Sequence, residues 1–451
     1  LIDESGHVYP EAKTIPPVFS ALKNQAIGIL GEKNATTVSS VISIVISGNA
    51  YVPLNPEWPL ERLRFILVQT GMKACIVQQK YSEPFISLLK ELGLNFNVNE
   101  YINEYLLFHI EQSPGRLPKE STYILFTSGS TGYPKGIVHT SSSVSAFIKW
   151  CDKEFKKFKL KRFVSIAPLN FDLSVFDVFY AALKGASLYL PKTTTISNPR
   201  MFIQYLVKHK IEVIYSTPSY LNLLLATAQL HKYDLKFLKL VLIAGEQLNY
   251  TLVSGLKTHF KKAAFYNLYG PTETNVCTCY RIKNNRNIKE NVPIGKPCYR
   301  SEVKVSKEGE LIYKGKLLMK AFIDERGFHK VNGNYKTGDL VKKLQSGDLE
   351  FVGRKDKMIK RNGFRIEPQE IVQVLLKFRG VQNCEVMTVK KDNFQIVAFV
   401  QSAENLSELE LKTFCLHNLP AYMLPDRVLC LAEIPLNLNH KADTAKLLQM
   451  L

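Results

Sequence analysis

The chain has 451 residues, 46% of them hydrophobic, and a formal net charge of +19 at pH 7. That length exceeds what one hydrophobic core holds, so at least two domains are expected, and the composition excludes a disordered or fibrous chain. The 8 cysteines show no repeated CxxC spacing, which argues against a disulfide framework or zinc site and fits a reducing, cytoplasmic setting.

In chain order, the sequence starts at Leu1 rather than Met, which reads as an incomplete start. No stretch reaches the roughly 20 apolar residues of a membrane span, and no basic-then-apolar leader is present. The longest apolar run, 38–46, is dotted with serines and reads as a buried helix. Short apolar runs at 123–126, 162–167, 187–190, 213–216, 238–243 and 264–266 alternate with helical patterns at 142–155 and 201–209. The alternation predicts α/β layers with a largely parallel sheet. Lysines are densest at 153–162 (KEFKKFKLKR). They read as a solvated face or a dock for an acidic partner protein, and neither nucleic acid nor membrane is expected as a partner. From about residue 303 the strand-like pieces shorten (303–306, 310–313, 349–352) between Gly and charged turns, a β-rich subdomain. Past Asp356, a helix at 368–377, strands at 384–389 and 394–401 and a helix at 406–416 make a small α+β unit. The division expected is 1–355 and 356–451.

Five stretches carry chemistry. In residues 123–136, YILFTSGSTGYPKG, a β-type run feeds Thr127, Ser128, Gly129, Ser130, Thr131 and Gly132, followed by Lys135. Glycines let the backbone approach an anion, hydroxyls and N–H groups donate to phosphate oxygens, and the lysine adds charge. Tyr133 and Pro134 separate Gly132 from Lys135, so this is not a Walker loop, which needs Gly-Lys-Ser/Thr contiguous. In 267–274, NLYGPTET, Glu273 is a hard oxygen ligand suited to Mg²⁺ beside phosphates. Tyr269 offers a flat face to a purine, and Gly270-Pro271 sets a turn. In 335–340, YKTGDL, Asp339 can accept both hydroxyls of a ribose. Residues 351–365, FVGRKDKMIKRNGFR, are charged and taken alone are equally a solvated loop. Residues 436–443, LNLNHKAD, contain Lys441, which by itself reads as an exposed tail lysine. Cys277 and Cys279 read as packing residues.

Together these five stretches, in this order and with GNAYVPL at 48–54, resemble the adenylate-forming superfamily: acyl-CoA synthetases, luciferases and amino-acid-activating domains of nonribosomal peptide synthesis. The resemblance implies a large N-terminal domain with a small mobile C-terminal one. Within that superfamily, NFDLSV at 170–175 matches the amino-acid branch, whose aspartate, here Asp172, pairs with the substrate ammonium. The alternative for Asp172 is a helix N-cap. The implied pocket is Asp172, Leu173, Phe176, Tyr215, Leu242, Ala244, Leu268, Val276 and Cys277, closed by Lys441. Its mostly apolar lining suits a compact nonpolar side chain. It is similar to that of stand-alone proline-activating ligases, with alanine or valine as fallbacks.

The resemblance further implies ATP and Mg²⁺, with the β- and γ-phosphates on 127–135 and the metal on Glu273 and Thr131. Asn267, Tyr269, Gly270 and Thr272 would hold adenine. Asp339 and Arg354 would hold ribose, and Lys441 would bridge the carboxylate and the α-phosphate. Asp356 would be the hinge, and Gly363 would line a channel for a phosphopantetheine thiol. There are departures: His440 replaces the family's glycine and restricts the backbone before Lys441, and Met319-Lys320-Ala321 replaces an Arg-Gly-Tyr type turn. No carrier or condensation motif occurs, so a carrier protein acting in trans on a monomer is expected, or the chain is one segment of something longer. An acid–CoA ligase and an inactive nucleotide-binding relative are the competing readings.

Overall fold

The computed structural model describes residues 1–4, 17–113, 115, 117–283, 291–390, 394–404, 406–436 and 442–451. Lys441 and His440 therefore lie outside the described residues.

Strands covered on both faces bury every side chain and read as unbroken apolar runs. Ala26–Leu30, Ala50–Leu54 and Ala74–Gln78 do so along their whole length. They form, with Ser121–Thr127, the parallel centre of a nine-stranded sheet. Both flanks of that sheet are antiparallel, so the expectation of parallel pairing is corrected here. On one flank the cause is local: the short connection 128–134 returns the chain directly alongside itself, which only an antiparallel pair permits.

The second sheet, of seven strands, matches the expectation better. Ser187–Tyr189, Arg162–Val164, Val213–Ser216, Leu240–Ile243 and Ala264–Tyr269 run parallel in that spatial order. Thr278–Arg281 and Lys296–Pro297 close one edge antiparallel. The run at 162–167 gives a shorter strand than its apolar length, because the chain turns off the sheet toward Pro168. Helices Ala35–Ile46, Ser141–Phe155 and Pro199–His209 appear where the sequence placed them. A further helical segment, Leu173–Leu183, packs on the second sheet. Its middle, Phe176–Tyr180, is a π-helical turn, a wider winding often found at functional sites.

Strands Glu302–Val305, Glu310–Lys314, Tyr335–Lys343 and Leu349–Arg354 make an antiparallel four-stranded sheet. From Ile359 onward the chain builds its own cores. Helices Pro368–Leu375 and Glu408–Asn418 cover one face of a three-stranded sheet, Asn383–Lys390, Phe394–Gln401 and Arg427–Leu431. Between the bodies lies a hairpin, Ile359–Arg361 with Phe364–Ile366. Its two turn residues, Asn362 and Gly363, both have positive φ (52° and 81°), the pairing that suits a tight two-residue hairpin. The charged stretch read as a possible solvated loop is thus an ordered hairpin, and it points back into the first body.

Candidate active site

The carboxyl ends of the parallel strands in the second sheet open onto one cleft, the usual ligand position in such sheets. Tyr215 and Leu242 are direct neighbours across two of those strands, Ala244 follows the second, and Asp172 and Leu173 start the helical segment above them. The cleft is lined by Asp172, Leu173, Tyr215 and Ala244 from this side. Asp339, Arg354, Lys360, Gly363 and Arg365 line its other side. Phe176, Leu242, Leu268, Val276 and Cys277 lie beneath, each at most 1% exposed. Phe176 meets the Tyr215 ring edge-on, 5.6 Å between centroids. Of the sequence-derived pocket, four residues thus line the cleft and five are buried in the core, Leu268 among them lining a neighbouring groove.

Asp172 is 7% exposed and makes no ion pair among the described residues. Although it precedes a helical segment, its side chain makes no capping hydrogen bond, so the N-cap alternative falls. Burial pushes its carboxyl up to about 6, against opposing pulls from the Thr272 hydroxyl and the Lys360 ammonium. A buried carboxylate in this state is short of a cation.

The phosphate-type loop is the turn of a hairpin whose strands pair Thr127 with Lys135. A Walker loop instead leads into a helix, so the contrast read from the sequence is reproduced in the backbone. Gly129 is required: a Cβ there would collide with the Tyr133 carbonyl. Gly132 has φ +89°, which favours glycine. Ser130 and Thr131 are exposed, and the Thr131 hydroxyl donates to Glu325 Oε2 at 3.0 Å rather than facing Glu273. Ser128 is buried; it donates to the Arg365 carbonyl at 2.7 Å and accepts from the Glu367 N–H at 3.1 Å.

Glu273 is 1% exposed. Its Oε1 lies 3.3 Å from Arg365 and 3.6 Å from Lys135. Burial would raise this carboxyl, but Arg365 and then Lys135 outweigh it and hold it near 2. The second oxygen, Oε2, is buried with no hydrogen-bond partner of normal geometry, although the Tyr335 phenol is close enough to interact. A permanently ionised carboxylate with a spare buried oxygen, beside an anion-type loop, fits a divalent cation.

His139 was missed from the sequence. It bridges the Thr272 carbonyl (2.9 Å) and the Ser143 hydroxyl (3.0 Å), tying the loop hairpin to the turn that carries Glu273. Burial lowers it to about 4, so it is a neutral strut at neutral pH. In that turn, Gly270 is needed because a Cβ would strike the Asn275 carbonyl.

Asp339 and Arg354 are direct cross-strand partners, with Arg354 Nη1 2.7 Å from Asp339 Oδ1. The Tyr269 hydroxyl donates to the other Asp339 oxygen. Arg354 Nε also donates to Asp356 Oδ1 at 2.8 Å. The Asn267 amide is spent on the Pro293 carbonyl at 2.9 Å. A side groove is lined by Gly245, Asn267, Tyr269, Gly270, Phe351 and Lys360. Lys360, also missed, lies 5.9 Å over the Tyr269 ring; burial lowers its ammonium, while Asp339 opposes. The signal that could have found Lys360 and Arg365 is the Asn-Gly pair between them, a strong hairpin marker.

A second groove, about 320 Å³, reaches the surface between Thr217, Ser219, Tyr220 and Leu223 and the hairpin residues Asn362 and Phe364. It shares Phe171, Leu173 and Tyr215 with the cleft. The Gly363 N–H donates to Glu246 Oε1 at 2.7 Å, and a Cβ on Gly363 would lie 2.6 Å from Thr217 Cγ2. Arg62 and Glu370 join the bodies through an ion pair at 2.5 Å, 3% and 6% exposed.

Among the described residues no helix is long and apolar enough to cross a membrane, and no group of three His, Cys, Asp or Glu could hold a metal. An L-proline--[L-prolyl-carrier protein] ligase from Pseudomonas fluorescens is 34% identical over 443 residues, covering 93% of this chain and 88% of that protein. Tyrocidine synthase 1 from Brevibacillus parabrevis is 29% identical over 451 residues, covering 92% of this chain but 39% of that longer protein. The solved Vibrio cholerae adenylation domain AlmE, in complex with glycyl-adenosine-5'-phosphate, shares the fold: TM-score 0.77 at 24% identity, over 95% of this chain and 88% of that one. The family model described as AMP-binding enzyme matches residues 20–322, and with these relatives it establishes that the chain belongs to the adenylate-forming, AMP-binding enzyme family.

Proposed function

We propose that the chain is an ATP-dependent ligase that activates a small apolar amino acid, L-proline fitting best, as its aminoacyl-adenylate. It then passes the acyl group to the phosphopantetheine thiol of a carrier protein. The observation that carries this reading is Asp172, a buried carboxylate without an ion-pair partner at the edge of an apolar cleft. A substrate ammonium supplies the missing charge; a simple acid bound for coenzyme A does not. Phe176 and Leu242 pack against Tyr215 behind the cleft, which favours a compact side chain, and the similar ligase from Pseudomonas supports proline.

In the first step a substrate carboxylate oxygen attacks the ATP α-phosphorus, and the bond to the β-phosphate breaks, releasing pyrophosphate. Positioning and charge stabilisation dominate such a transfer. Residues 127–135 would hold the departing phosphates, Tyr269 and its groove the adenine, and Asp339 with Arg354 the ribose. Mg²⁺ when bound supplies positive charge beside the phosphates, with Glu273 holding it. Thr131 would need to turn from Glu325 to join. The family resemblance assigns Lys441 to the carboxylate and α-phosphate.

In the second step the thiol sulfur attacks the acyl carbon, AMP leaves with its bonding electrons, and the thiol proton passes to solvent. Here the groove between Thr217, Tyr220 and the hairpin residues Asn362 and Phe364 is the entry for the pantetheine arm. The arrangement described suits this second step, and we take 356–451 to rotate about Asp356 between the two.

Amino-acid-dependent ATP–pyrophosphate exchange across the proteinogenic amino acids tests the reading. Exchange with proline supports it in full. Exchange with alanine alone revises the substrate, and no exchange with any amino acid overturns the function.

A further inference from the structure

We propose that Lys33 and Asp177 are positioning residues for the amino-acid pocket: they pin the base of the chain excursion that carries Asp172 to the cleft, and so set the affinity for the amino acid. The inference rests on the amino-acid reading of Asp172 given above.

The excursion leaves the second sheet after Arg162–Val164 and returns in the π-helical turn Phe176–Tyr180. Asp172 and Leu173, which line the cleft, stand in its middle. Its two ends meet at one buried cluster. Ser165, on the outgoing side, is 0% exposed, and Asp177, on the returning side, is 1% exposed. The Ser165 hydroxyl donates to the Asp177 carboxyl. The third member comes from the other sheet. Lys33 follows strand Ala26–Leu30, and its Nζ donates to the Ser165 carbonyl at 2.6 Å and to the Ala167 carbonyl at 2.9 Å. The residue is half-buried overall, with its ammonium turned onto these carbonyls. Its neighbour Asn34 fixes where the lysine starts: it caps helix Ala35–Ile46 and donates to the Tyr105 hydroxyl at 2.7 Å.

Burial lowers the Lys33 ammonium to about 8 and raises the Asp177 carboxyl, and each group is the charge that opposes the shift on the other. Asp177 Oδ2 is buried and has no hydrogen-bond partner among the described residues. Apolar side chains of similar size would join the two sheets about as well, because a buried charged pair seldom adds net stability over such packing. What the pair supplies is direction. Two charge-assisted hydrogen bonds to backbone carbonyls fix the path of 165–167. An excursion fixed at its base presents Asp172 with less freedom to lose when the substrate ammonium binds.

The test is a double-mutant cycle on the full chain, read by amino-acid-dependent ATP–pyrophosphate exchange, with urea denaturation of every variant. Lys33→Met should raise the KM for the amino acid by about tenfold or more and leave the KM for ATP within about twofold. In the Asp172→Asn background the same substitution should add less than about threefold, since the carboxylate through which it acts is already gone. Lys33→Met combined with Asp177→Leu replaces the pair by apolar side chains. This double variant should unfold at a urea concentration no lower than wild type and still carry the raised KM for the amino acid, which separates positioning from stability. A wild-type KM in the double variant overturns the proposal, as do equal rises in both KM values or a fully additive effect in Asp172→Asn. A double variant that unfolds at lower urea assigns the pair to folding and overturns it as well. Absence of exchange in the wild-type chain overturns the ligase reading, and the positioning role with it.

Discussion

Asp172→Asn removes one charge from the cleft at nearly constant volume, and it separates what the carboxylate does for the fold from what it does for the substrate. Burial raises the carboxyl from 3.8 to about 6, and at roughly 1.4 kcal/mol per pH unit this sets about 3 kcal/mol against the ionised form in the empty cleft. The folded carboxyl keeps its proton to higher pH than the unfolded one. Its stabilising contribution is therefore present below pH ~4 and lost as the pH climbs through about 6. At pH 8 the ionised group weakens the ligand-free protein. The variant should be more stable there by up to about 3 kcal/mol, and nearly indistinguishable from wild type at pH ~4. Substrate binding should respond in the opposite sense. Removing one member of a buried ion pair costs about 3–5 kcal/mol, so kcat/KM for proline-dependent exchange should fall by at least about a hundredfold. In the wild type, the KM for the amino acid should rise as the pH falls below about 6, where Asp172 is neutral. Urea denaturation at both pH values, paired with exchange kinetics, reads all of this. A variant that is destabilised at pH 8, or that keeps its KM for the amino acid, refutes the role given to Asp172.

Gly363→Val should leave amino-acid-dependent exchange within about threefold of wild type yet abolish carrier loading, because only the docked hairpin brings position 363 against Thr217 and Phe171; equal loss of both activities would assign Gly363 to folding. Gly129→Ala forces a Cβ into the Tyr133 carbonyl and should raise the KM for ATP about tenfold or more while the KM for the amino acid holds, measured by varying each substrate in turn. Glu370→Gln leaves the Arg62 guanidinium, 3% exposed, without its charge partner, a loss of about 3–5 kcal/mol from the contact between bodies. Hydrogen exchange in helix Pro368–Leu375 should accelerate while the nine-stranded sheet is unaffected, and uniform acceleration would mean that the pair supports the whole fold.

Elements whose side chains are buried on both faces were legible in the sequence. Val213–Ser216, buried along its length, has the bounds its apolar run implies, and the bounds of Phe394–Gln401 also match. The direction of pairing was less so, since an apolar run carries no sign of whether its neighbour runs with or against it. The antiparallel return after Ser121–Thr127 follows from the short connection 128–134 instead. At the site, Asp339 and Arg354, grouped only through the family resemblance, meet across one register position. Residues whose job is to hold others were not legible. His139 works through a carbonyl and a hydroxyl, neither of which leaves a sequence pattern. Lys360 and Arg365 were hidden among other charges, although the Asn362-Gly363 turn between them was a usable clue. Thr131 shows the limit of carrying a role by position alone, for its hydroxyl turns to Glu325.

The π-helical turn at Phe176–Tyr180 separates two tasks within one short helical segment. An α-helix advances about 100° per residue, so a change of phase in its middle rotates everything beyond it. A π turn absorbs one extra residue, and in doing so takes up that rotation locally. Leu173, at its start, lines the cleft, and Leu173, Phe176, Tyr180 and Ala181 all belong to one hydrophobic core. The π turn thus sets the phase between the cleft-lining Leu173 and the core ring Tyr180, which packs on Phe176.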